Sequence, residues 1–150
     1  MAGSEVMSRT HRRRVSVVIF LTCGIWLIGL GLYFVLLRPA LLPEDERYIG
    51  AIGAQNQVAL PGLTRWLRHV FTVMGGFIAA SGVLTMFLAA TAVSARRKGT
   101  GIVLLLVGLA TVVTMSYTNF VIVSNFRWLL LAPAVLWSAG LAAYAIEPRD

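Results

Sequence analysis

Four uncharged, strongly apolar runs are spaced along this chain: Val15–Leu37 (23 residues), Val70–Val93 (24), Ile102–Val123 (22) and Leu129–Ile146 (18). None alternates apolar with polar positions as a half-buried strand or a barrel strand does, and all are far longer than a strand. At about 1.5 Å of rise per residue the first reaches roughly 34 Å, enough for a hydrocarbon core of roughly 30 Å. Backbone amides surrounded by hydrocarbon need partners within their own segment, and a helix provides them. The pattern therefore predicts an all-α protein, an integral membrane four-helix bundle in one domain. Its expected parts are a basic tail 1–14, helix 15–37, outer loop 38–69 with a short surface helix, helix 70–93, turn 94–101, helix 102–123, turn 124–128 and helix 129–146. The first run exceeds the roughly 7–15 residues of a signal-peptide core and has no small-residue cleavage pattern behind it. It is expected to remain as a helix.

Composition agrees with the pattern. Hydrophobic residues make up 58% of the chain and charged residues 13%, against about 25% charged in an ordinary soluble domain. A net charge of +7 raises the question of nucleic acid, but much of it sits in Arg12–Arg14 and Arg96–Lys98. Both runs flank apolar segments, which is a signal of topology rather than a groove-binding stripe. No nucleic-acid partner is expected. With both termini on one side, that side holds eight lysines and arginines and the other holds five. The positive-inside rule then places both termini in the cytoplasm, in a bacterial inner membrane, with loop 38–69 outside.

In that loop LLPEDERYIG concentrates half of the six acidic residues. Proline at a first helical position, followed by acidic side chains that complement the helix dipole, predicts a short surface helix. Gly50 and Gly53 weaken it, and Pro61-Gly62 is expected to end the region. The following LTRWLRHV reads as an amphipathic lead-in to the second span. Glu44, Asp45, Glu46, Arg47 and Tyr48 form the candidate outer contact.

Chemistry inside the spans is sparse. No ionisable side chain lies within any run, whereas membrane enzymes and pumps usually place one there. His11 and His69 fall on opposite sides and cannot share a haem, and no metal or other cofactor is expected. Lone Cys23 has no partner thiol and reads as a small packing residue. In TVVTMSYTNF, Thr111, Thr114 and Thr118 share one helical face near Tyr117 and Asn119. Such groups commonly bond the preceding turn or a neighbouring helix. The alternative is a small polar pocket, for which Trp26, Trp137, Tyr117, Thr118 and Asn119 are the candidates; the two mid-helix tryptophans can instead fill gaps in the bundle. Trp66, Trp128 and Tyr33 suit interfacial anchoring. Small residues at four-residue spacing mark expected packing seams: Gly75 with Ala79, Gly76 with Ala80, and Ala134, Ser138 and Ala142.

Helix count and length, a first span ending near Pro39 and a glycine-rich second span with GGF resemble small bacterial four-helix membrane proteins, the DoxX-like ones among them. The resemblance implies the four-helix membrane fold and carries over no site residue. Two functions are expected from the whole reading. The first is a non-catalytic accessory or assembly subunit, whose partners are the lipid bilayer and other membrane subunits or a second copy. The alternative is a carrier or membrane enzyme for a lipid-like or isoprenoid substrate.

Overall fold

The computed structural model describes residues 14–42, 45, 47 and 60–148, and the regular structure among them is helical. The first helix is Val15–Leu36. The second is Leu60–Leu88, continued by a π-helical stretch over Ala89–Val93. The third begins at Thr100–Gly108, passes through a π-helical stretch at Leu109–Val113 and resumes as Thr114–Val121. The fourth is Arg127–Ile146. Each is long and apolar enough to cross a membrane. Most of every span faces outward, as expected where the surrounding solvent is itself apolar.

One expected boundary moves substantially. The second helix starts at Leu60, ten residues before Val70, so it takes in the last ten residues of the expected loop 38–69. Pro61 and Gly62 lie in its first turn rather than terminating the loop. Proline is harmless there, because first-turn N–H groups have no intrahelical acceptor to lose. Helix 61–93 has 33 residues, about 50 Å at the usual rise, so its start with Arg65, Arg68 and His69 extends past a hydrocarbon core. The other ends shift by two residues or fewer, leaving turns at 94–99 and 122–126.

The packing order is second, first, fourth, third. The first helix carries the second on one side and the fourth on the other, the third packs on the fourth, and the second and third scarcely meet. The ring of helices is therefore left open on one side.

The closest approach, between the first and second helices, is made by glycine. A Cβ on Gly31 would lie 2.6 Å from the Gly75 carbonyl oxygen and 2.5 Å from the Ala79 nitrogen, and one on Gly82 would lie 2.6 Å from the Gly24 oxygen. Gly24 faces Gly82 and Gly31 faces Gly75, so each helix presents glycines seven residues apart. Seven is the repeat that keeps one stripe in register along a left-handed antiparallel pair. Of the expected seams, Gly75 and Ala79 lie in this contact and Ala134 is buried, while Gly76, Ala80, Ser138 and Ala142 face outward.

The first, third and fourth helices meet around Trp137. Its ring is 2% exposed and lies edge-on to Phe20 at 5.2 Å, and its Nε1 donates to the Leu104 carbonyl at 2.9 Å. Gly108 leaves the room its indole occupies. Cys23 is fully buried beside this cluster, as a packing residue would be. Pro133 lies buried within the fourth helix, and Ser116 Oγ stands 2.8 Å from both the Leu130 carbonyl across the interface and the Val112 carbonyl of its own helix, so its one proton is shared between the two.

At the end of the bundle that carries the termini, Glu147 joins three segments. Its Oε1 accepts the Ser16 N–H at 2.8 Å and its Oε2 accepts the Ser16 hydroxyl at 2.6 Å, so the residue that ends the fourth helix caps the start of the first. Arg96, from the turn after the second helix, stands 3.8 Å from the same carboxylate and over the Tyr144 ring at 4.3 Å. Arg96 has a left-handed backbone (φ 48°), unusual outside glycine; Glu147 and Tyr144 hold it there.

Candidate functional site

The open side of the ring forms a cleft of about 1130 Å³ between the second and third helices. Its floor is Leu27, Leu30 and Phe34 of the first helix with Leu130 of the fourth. The second helix contributes Val70, Met74, Phe77, Ile78 and Ser81, and the third contributes Ala110, Thr111, Thr114, Met115, Thr118 and Asn119. This exceeds the roughly 300–1,000 Å³ of a typical small-molecule site. The walls are mostly hydrocarbon.

The π-helical stretch at Leu109–Val113 lies in the third-helix wall. Such insertions often occur at functional sites. Within and beyond it, the threonines satisfy themselves locally: Thr111 Oγ1 donates to the Val107 carbonyl at 2.6 Å and Thr114 Oγ1 to the Leu109 carbonyl, five residues back, at 2.8 Å. Asn119 Nδ2 donates to the Met115 carbonyl at 2.9 Å. Helix self-bonding thus satisfies these three donors within a largely apolar lining.

Polarity concentrates at the end away from the termini, where Arg38, Asp45, His69, Asn119 and Ser124 line the cleft. Arg38 is the best held of them. Its guanidinium lies 3.5 Å from the centre of the Phe71 ring and 5.2 Å from that of Phe34, while Nη2 donates to Asp45 Oδ2 at 3.0 Å. The side chain is only 7% exposed. The same Asp45 oxygen accepts the Leu42 N–H at 2.9 Å, so one carboxylate closes the start of the loop onto the arginine. Planar guanidinium is suited to such a position, since it stacks on aromatic faces while its edge keeps hydrogen bonds.

The candidate residues are distributed as follows. Thr118 and Asn119 line the cleft. Tyr117 is 70% exposed on the outer surface, Trp137 is buried in the core, and Trp26 is half-buried and lines no part of the cleft. The five are not brought together. In the outer contact, Asp45 turns to Arg38, and exposed Arg47 donates through Nη2 to Asn125 Oδ1 at 3.1 Å, tying the loop to the turn before the fourth helix. Glu44, Glu46 and Tyr48, with most of the expected surface helix, lie outside the described residues. Trp66 and Trp128 are both well exposed near the helix ends.

Arg38, Phe34 and Phe71 were absent from the sequence candidates. A signal was present: Arg38 is the first charge after an uncharged run and follows Tyr33-Phe34 closely. Among the described residues no group of three or more histidine, cysteine, aspartate or glutamate side chains gathers to hold a metal. The chain matches no family model, no curated protein and no solved structure.

Proposed function

We propose that this chain is a multi-pass protein of the bacterial inner membrane that binds an elongated lipid-like molecule in the cleft between its second and third helices. The observation that carries this reading is the cleft itself: an apolar trough, reached from the side of the bundle, with its polar groups gathered at one end. An apolar tail would lie against Leu27, Leu30, Met74 and Phe77. A polar end would meet Thr118, Asn119 and His69 beside the Arg38–Asp45 pair. Nothing in this arrangement calls for a covalent step, and binding or carriage is the activity inferred.

Filling the trough tests the reading. Ala110→Trp with Ser81→Phe should expel the ligand while leaving the first–second helix seam and the Trp137 cluster intact. Lipid extraction and mass spectrometry of protein purified in a mild detergent should then show at least a tenfold loss of a specifically retained lipid. Equal retention by the filled variant would overturn the proposal.

The reading as an accessory subunit draws on the same open side, because a partner's helix can occupy a gap between two helices that scarcely touch. Its mark would be a stoichiometric membrane protein, not a lipid, lost on filling the trough.

Orientation rests on the count of basic residues, with both termini in the cytoplasm. Cys23 is buried, so a single added thiol reports cleanly. Lys98→Cys should resist a membrane-impermeant maleimide in intact spheroplasts and react after lysis. Arg65→Cys should react in both.

A further inference from the structure

A second, smaller hollow of about 220 Å³ lies at the opposite end of the bundle, where the second helix turns into the third. Leu88 and Ala92 line one side and Val103 and Leu104 the other, with Arg97, Lys98, Gly99 and Thr100 across the top. We propose that this hollow holds one anionic phospholipid, its phosphate among Arg97, Lys98 and Thr100 and the first part of its chain between Leu88, Ala92 and Val103.

Three observations converge on that ligand. Arg97 and Lys98 are both exposed, and neither makes an ion pair among the described residues. Adjacent Arg96, by contrast, is turned inward to Glu147. The turn thus sends one cation into the fold and offers two to the surroundings. Thr100 is the second observation: the residue is 6% exposed and lines the hollow, while its hydroxyl makes no hydrogen bond among the described residues and is still reachable from outside. It is therefore free to donate to a phosphate oxygen placed in the hollow. The third is the apolar lining below the charges, which gives a free inorganic anion nothing but gives a lipid a place for its chain. Gly99 can take the left-handed turn (φ 83°) but has no side chain to cap the helix that follows. The start of that helix is therefore open to an anion as well.

This site does not depend on the larger cleft, and it is tested separately. Full-length protein in mild detergent is titrated with phosphatidylglycerol or phosphatidylcholine of the same chain length, and the bound fraction is read by native mass spectrometry. One phosphatidylglycerol should be retained in preference to phosphatidylcholine. Arg97→Gln with Lys98→Gln, at exposed positions that leave the fold intact, should lower that preference about thirtyfold, from two cations near a charged headgroup. Ala92→Trp, which fills the hollow and keeps both charges, should also release the lipid. Equal retention of the two lipids, or retention unchanged in either variant, would overturn the proposal. Displacement of the lipid by inorganic phosphate at equal concentration would make this a site for a free anion, and would overturn it too.

Discussion

Replacing Gly31 by leucine should separate the first and second helices and destabilise the protein by roughly 3 kcal/mol or more, at the upper end for an overpacked core position. A single added carbon already meets backbone: the Gly75 oxygen at 2.6 Å and the Ala79 nitrogen at 2.5 Å. Backbone atoms in two continuous helices cannot step aside as a side-chain end can, so the helices must move apart. That motion strips van der Waals contact along the whole seam, the main attraction between helices in lipid. Gly29 and Gly76 are the controls, since a Cβ on either meets nothing within 4 Å. Leucine at those positions should change stability by less than about 1 kcal/mol, because it only adds surface to lipid and removes a flexible residue from a helix. Denaturant unfolding in detergent micelles, followed by circular dichroism, separates the cases. A Gly31→Leu protein as stable as the Gly76→Leu protein would show that the glycine seam does not hold the bundle.

Glu147→Ala should be comparably damaging, at about 3–4 kcal/mol, in the lower part of the range for stranding one partner of a buried ionic pair. The loss has two parts. Ser16 is fully buried, and both its N–H and its hydroxyl lose their acceptor. Arg96, with a side chain 8% exposed, loses its nearest counter-charge among the described residues, where its Nε and Nη1 already lack hydrogen-bond acceptors. Glu147→Gln keeps an oxygen for Ser16 and should cost about half as much, which isolates the charge from the cap. Adding Arg96→Met to Glu147→Ala should recover at least about 1 kcal/mol, since the arginine is then no longer stranded. Strict additivity of the two substitutions would mean that the carboxylate acts on Ser16 alone.

These two positions show how differently the sequence spoke. The glycines of the second helix were visible as a seam, yet spacing of four favoured Gly76 and Ala80 over Gly82. Several stripes of small residues run down the same helix, and the sequence does not say which one a neighbour covers. Glu147 was visible only as a charge at the end of a span, because its partners are 131 residues away at Ser16 and on a different turn at Arg96. Asp45 read as a helix-start residue on an outward surface, and its backbone is helical; what the sequence did not show is that its carboxylate ties to Arg38, and that the stacking of Arg38 on Phe71 joins residues from two helices. The face formed by Thr111, Thr114 and Thr118 was legible from spacing alone, and it does line one wall. What the spacing lacked was the opposite wall.

What the sequence determined by itself is the number of helices long and apolar enough to span a bilayer and their approximate limits, because uncharged length and the need to pair every amide within a segment are local properties of the chain. Which faces touch, which small residues form the seam, and that the second and third helices leave a cleft were decided only by the tertiary structure. The physical reason is that lipid-facing and protein-facing sides of such helices are equally apolar, so no polar stripe marks the outside. The choice falls to close packing at Gly24, Gly31, Gly75 and Gly82, and that depends on both helices at once.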